Sequence, residues 1–204
     1  MPHLRITPSD AWCQGNVVAC TAWMPGWSSA HSTHARVASV ASLFVSRLDV
    51  AVKDRVPAEL RNRLGIAVAR RTYQAYRDLL ASPRWKKLEA AGAMPQRMLW
   101  ASTGTKDPDA SDVLYVEALA APDTIDTLPE KTLKAFADHG QVGGAMAVDG
   151  GDAEDVIAAF AKIGIDADTV AGELQRKGAD AFAKSWSDLM ERIATKSEVL
   201  KKAG

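Results

Sequence analysis

From residue 36 onward, two kinds of run alternate along this chain. Short stretches of almost wholly apolar and small residues are separated by longer ones in which apolar residues return every three or four positions. Val37-Ala38-Ser39-Val40-Ala41-Ser42-Leu43-Phe44-Val45 is the first short run, and it predicts a strand buried on both faces. After Pro57, a residue suited to a first helical turn, Leu60, Leu64, Val68, Tyr76 and Leu80 recur at helical spacing. They predict a helix from about Pro57 to Leu80, ended near Ser82-Pro83. A shorter helical piece over Arg84–Ala91 stops at Gly92. Gln96-Arg97-Met98-Leu99-Trp100-Ala101-Ser102 then predicts a second buried strand.

Past the turn-rich Thr103–Pro108, Ser111–Ala120 accommodates one or two helical turns, and Asp123–Leu128 reads as a third strand. Thr127-Leu128-Pro129-Glu130 has the form of a capping box, which would open a helix through Leu133 and Phe136 to His139-Gly140. Glycines at 140, 143, 144, 150 and 151 mark a flexible connection. Two helices follow, Ala153–Ile163 and a long one from about Ala167 to Ala194. The long helix is expected to bury Val170, Leu174, Phe182, Leu189 and Ile193 along one face, with Trp186 covering its edge. Trp85 and Trp100 likewise read as packing residues.

Three strands alternating with helices predict an α/β fold with a parallel sheet, either doubly wound or part of a (β/α)8 barrel. No G-x-G-x-x-G follows any of the strands, which weighs against a dinucleotide-binding fold. The small hydroxyl residues Ser42, Ser46, Ser102 and Thr103 gather near the strand C-termini, with Arg47 and Lys106 close behind. Barrels carry their active sites and phosphate sites at that end.

Composition leaves this picture intact except at the N-terminus. The chain has 204 residues, a formal net charge of zero, and is 47% hydrophobic and 25% charged, the profile of a soluble globular protein of the cytoplasm. Balanced charge argues against a nucleic-acid partner, and no apolar run is long enough for a membrane span. Cys13 and Cys20 are too few for a disulfide scaffold. Yet Met1–Ala35 contains only Arg5 and Asp10 among the charged side chains, together with Trp12, Trp23, Trp27, His3, His31 and His34. This segment shows neither helical nor alternating periodicity, and its longest apolar run, Val17–Cys20, is too short for a signal peptide. It is expected to be a leader foreign to residues 36–204, of the kind that out-of-frame translation or a wrong start produces. His31 and His34 would share a helical face, but with no helix and no third ligand predicted, no metal site is assigned.

The run Ala38-Ser39-Val40-Ala41-Ser42-Leu43-Phe44-Val45-Ser46-Arg47-Leu48-Asp49 resembles a strand and loop of transaldolases of the actinobacterial type. The resemblance continues through Tyr73–Tyr76, Pro95–Pro108, Leu114–Leu119, Thr127–Glu130 and Ala137–Gly140, in the family's order. It implies the C-terminal part, about three βα units, of a (β/α)8 barrel of the class I aldolase type. The implied activity is transfer of a dihydroxyacetone unit from sedoheptulose 7-phosphate to glyceraldehyde 3-phosphate in the pentose phosphate pathway, through a lysine Schiff base. No metal or organic cofactor is implied.

The three strands correspond to the family's last three. The Schiff-base lysine and the catalytic acids belong to earlier strands, so no residue here inherits a catalytic role. What the resemblance does carry over is a sugar-phosphate site. Arg47 matches the substrate-phosphate arginine; the plainer alternative is a surface arginine paired with Asp49. Ser42 matches a pocket serine, against a small core residue. Ser102 matches a phosphate-contacting serine, against a structural one. Gly104 stands where other branches place an arginine, so Lys106 is expected to supply that charge, against a solvated loop lysine. Open strand edges and uncovered helices predict a chain that is marginally stable alone and inactive as a transaldolase, and that self-associates or pairs with a complementing chain. The competing functional reading is a non-catalytic sugar-phosphate-binding or complementing fragment.

Overall fold

A computed structural model of the chain describes residues 17–20 and 38–203. Strands β1 (Val17–Cys20), β2 (Val40–Phe44), β3 (Arg97–Ala101) and β4 (Thr124–Asp126) lie in that order across one sheet. β2, β3 and β4 run parallel, as the alternation of runs predicts. β1 pairs antiparallel with β2, with Val17 opposite Leu43; no strand is predicted there from the sequence. The remainder of the expected leader, with Cys13, His31 and His34, lies outside the described residues.

Parallel register places Ala41 beside Met98 and Leu43 beside Trp100, and all four are buried. Side chains alternate across a strand, so the opposite face carries Ser42 beside Leu99 and Ile125, all half-buried. The expectation of strands buried on both faces is therefore corrected to one covered face among the described residues. That face packs under α1 (Val45–Val52), α2 (Leu64–Ala81) and α6 (Ala153–Lys162), through Val45, Leu48, Leu64, Val68, Tyr73, Val156 and Phe160. Arg71 also clasps Glu154 between α2 and α6 with two hydrogen bonds of 2.6 and 2.7 Å. Exposed pairs of this kind add little beside the burial.

Helix α3 (Pro83–Ala90) starts as its sequence dictates, with Pro83 in the first turn and the Ser82 hydroxyl accepting from Trp85 N–H at 3.2 Å. Two other boundaries differ from expectation. The predicted helix over 57–80 begins only at Leu64, after 3-10 turns at Lys53–Arg55 and Ala58–Leu60. Asn62 adopts a left-handed φ of 58°, a conformation asparagine tolerates and a helix does not. At the expected capping box, α5 (Glu130–His139) has no side-chain cap. The Thr127 hydroxyl instead donates to the Trp100 carbonyl at 3.1 Å, beside the Thr127 backbone N–H at 2.9 Å, so sheet pairing takes the group the helix would have used. The short helix α4 (Leu114–Ala118) lies between β3 and β4.

Helix α7 (Ala167–Ala203) departs most. Its first turns dock on α1 through Val170, Ala171 and Leu174. Phe182, Leu189 and Ile193, expected inside, are all exposed, as is Trp186, expected at the edge of that face, at 64%. Length explains it: 37 residues span about 55 Å, against roughly 17 Å for a five-residue strand, so the outer turns run past the sheet. Among the described residues, no helix is long and apolar enough to cross a membrane.

Candidate functional site

A cleft of about 690 Å³ opens where β2 and β3 end, between α1, the chain at 61–62 and the loop at 102–108. Because β2 passes directly into α1, Ser46 and Arg47 follow the strand's C-terminus with no intervening loop. Ser46 is buried, and its hydroxyl shares a 2.8 Å hydrogen bond with that of Ser102, while Ser46 N–H donates to the Ser102 carbonyl at 3.2 Å. Ser102 has a φ of 57°, costly for a residue with a Cβ and held only where surrounding bonds over-determine it. The next residue supplies them. The buried Thr103 hydroxyl donates to Asp126 at 2.8 Å. Burial holds the Asp126 carboxyl above the ordinary range, opposed by the bonds from Thr103 and Thr127.

The cationic groups approach from both sides. Arg47 lies with its guanidinium 4.4 Å from the centre of the Phe44 ring, a stacking that orients the fork and leaves its N–H donors available. The plainer alternative, pairing with Asp49, is not what the structure holds, because the Asp49 carboxylate is occupied elsewhere. Lys106 is exposed and lines the same cleft. Its Nζ lies 3.6 Å from where a Cβ on Gly104 would sit, so the missing side chain at 104 leaves room beside the ammonium. Arg47, Ser102 and Lys106 thus line one cleft. Ser42 does not join them: it sits mid-strand on the half-buried face of β2 and does not line the cleft.

Three lining residues carry no distinctive sequence signal as site residues. Asn62 donates to Asp107 at 2.7 Å, which holds that carboxyl below its usual range, and so bridges the two sides of the cleft. Tyr115 donates to Asp49 at 2.8 Å. Asp49 also accepts from Leu64 N–H at 2.9 Å and Gly65 N–H at 3.2 Å, the first free donors of α2. Its sequence spacing suggests only a partner for Arg47; the 15-residue separation from Leu64 is invisible to any local pattern.

Burial pushes the Asp49 carboxyl up to about 6 from 3.8, against the lowering pull of Tyr115, Gly65 and Leu64. Between those values the folded chain keeps a proton that the unfolded chain releases, so the Asp49 contribution to stability falls as pH rises. That contribution is on the order of 3 kcal/mol; it is fully present below about pH 4 and gone above about pH 6. Urea unfolding of wild type and Asp49→Asn across pH 4–7 isolates it. The stability difference between them is expected to drop through the window and then level, and a difference rising with pH would contradict the assignment.

A fixed guanidinium, an ammonium and two paired hydroxyls around one opening form a donor set suited to a phosphate group. The profile of the transaldolase/fructose-6-phosphate aldolase family matches residues 14–193. A transaldolase of Saccharopolyspora erythraea is 46% identical over 165 residues, covering 78% of this chain and 45% of the relative. One of Frankia alni is 48% identical over 166 residues, with the same coverage of each. One of Mycolicibacterium smegmatis is 42% identical over 175 residues, covering 82% and 47%. The chain thus spans about 45% of the length of the relatives it matches.

Proposed function

The chain belongs to the transaldolase/fructose-6-phosphate aldolase family, and from that premise we propose that it forms the phosphate-anchoring, C-terminal portion of a transaldolase barrel. The observation that carries this reading is the convergence of Arg47, Lys106, Ser46 and Ser102 on one cleft at the strand C-termini, the end where barrel enzymes work. In the complete barrel the reaction moves a dihydroxyacetone unit from sedoheptulose 7-phosphate to glyceraldehyde 3-phosphate. A lysine amine outside β1–β4, none of which contains lysine, forms the Schiff base with the ketose.

The part played by this chain is binding. The Arg47 fork and the Lys106 ammonium take the negative charge of the sugar's terminal phosphate, and the serine hydroxyls donate to its remaining oxygens. Anchored at that end, the substrate is held in register against the lysine, so that binding energy far from the reacting carbon is spent on orientation. Ser42, on the face that a closed barrel turns inward, is the small side chain that leaves room for the sugar itself.

Incubation with fructose 6-phosphate and borohydride tests the division of labour. The chain alone is expected to show no trapped mass increase. Transaldolase activity should appear only when the remaining barrel strands are supplied, in a longer chain or as a second polypeptide. A reduced adduct on any lysine of this chain by itself would overturn the assignment. Phosphate binding with no activity in the completed barrel would favour the non-catalytic reading instead.

A further inference from the structure

The two walls of the cleft come from distant parts of the chain. One is α1, with Ser46 and Arg47; the other is the loop with Ser102 and Lys106. The serine pair touches across them, hydroxyl to hydroxyl and Ser46 N–H to the Ser102 carbonyl, but both bonds act at one residue in the first turn of α1 and do not fix the direction of the helix. Asp49, three residues further on, supplies a further tie. Its Oδ1 accepts from Leu64 N–H and Gly65 N–H, and its Oδ2 from Gly65 N–H and the Tyr115 hydroxyl. One side chain therefore fastens α1 to the first turn of α2 and to α4.

Two features set this carboxylate apart from an ordinary helix cap. It is 6% exposed and lines a cleft rich in cationic groups, yet it forms no ion pair among the described residues. A buried negative charge beside an anion site opposes anion binding, so its contribution there is not electrostatic attraction. The backbone is also shaped around it. A Cβ on Gly65 would lie 2.6 Å from Asp49 Oδ2 and 2.6 Å from the Val45 carbonyl oxygen, so α2 approaches α1 at a distance only glycine permits.

We infer that Asp49 is a positioning residue of the cleft: by clamping α1 against α2 and Tyr115, it sets Arg47 and Ser46 at the separation from Ser102 and Lys106 that holds one phosphate group. The inference rests on the phosphate reading above. It also makes a prediction whose sign differs from that of charge alone. Neutralising an acidic group in an anion cleft tightens anion binding if only Coulomb forces matter, and weakens it if the group sets the geometry.

Calorimetric titration of the full chain with inorganic phosphate, at fixed pH and ionic strength, separates the two. Asp49→Asn is expected to bind about tenfold more weakly, the loss of a charge-assisted hydrogen-bond knot. Tyr115→Phe, which leaves every charge in place, is expected to bind several-fold more weakly. Phe160→Leu, a buried change in α6 away from the cleft, serves as a destabilised control and should bind as wild type. Unchanged or tighter binding by folded Asp49→Asn overturns the inference. If that variant does not fold, Tyr115→Phe decides, and unchanged affinity there overturns it equally. Weakening in Phe160→Leu to the same degree also overturns it, since general loosening would then be the cause. Wild-type chain that fails to bind phosphate sinks the phosphate reading and this inference with it, whereas equal binding by wild type and both cleft variants removes this inference alone.

Discussion

Gly65→Ala is expected to destabilise the chain by about 3 kcal/mol, near the upper end of what overpacking a filled interior usually costs. The added methyl would sit 2.6 Å from both Asp49 Oδ2 and the Val45 carbonyl oxygen, and 3.0 Å from Val45 Cγ1. Two of those three atoms have little room to yield. The Val45 carbonyl is backbone in the first turn of α1, and Asp49 is fixed by its three donors. Relief requires α2 to move away from α1, which opens the core around Leu48, Leu64 and Val68. Gly178→Ala in α7 is the contrasting case. Nothing lies within 4 Å of a Cβ there, so the exchange should stabilise by roughly 0.5–1 kcal/mol, the ordinary helical preference for alanine. Urea unfolding of the two variants beside wild type reads both. A small or stabilising effect at Gly65 would mean that the close approach of α1 and α2 is not as the structure has it.

Arg47→Ala should produce the largest loss of ligand binding, weakening affinity for fructose 6-phosphate by roughly 10- to 100-fold, the range for hydrogen bonds to a charged group. Arg47 is the cleft cation whose orientation is set by stacking on a ring, Phe44, in the same chain segment. Lys106 has no such support and should contribute less. Arg47→Lys keeps the charge but loses the planar fork, so it should recover only part of the affinity. Stability should scarcely change, since Arg47 is exposed and outside the core. Isothermal titration of the three proteins reads the order, and equal binding by wild type and Arg47→Ala would remove Arg47 from the phosphate site.

Most of the architecture was legible because it depends on short-range periodicity. The run at 96–102, the helix at 153–163 and the stop at Ser82-Pro83 fall within one or two residues of their observed bounds, and the run at 37–45 starts three residues before its strand. The misses share a cause. The delayed start of α2 follows from a left-handed Asn62 whose amide is drawn to Asp107, 45 residues away. The absent capping box follows from a threonine taken by the Trp100 carbonyl, 27 residues away. The exposed stripe on α7 follows from the length of the helix relative to the sheet beneath it. In the first two a distant partner chose between outcomes that local chemistry permitted, and in the third the extent of the sheet did.

The site divides along the same line. Arg47, Ser102 and Lys106 were legible as candidates because strand ends followed by hydroxyl and cationic residues form a local pattern, and the sequence by itself determined the α/β class, the parallel sense of β2–β4 and the family. Only the tertiary structure decided that those three share a cleft while Ser42 turns to the other face of β2. It alone joined Asp49 to Leu64, Gly65 and Tyr115. The physical reason is that periodicity reports which face of an element is apolar, whereas a buried carboxylate is satisfied by whichever donors the packed chain brings within about 3 Å, and no spacing along the sequence records that.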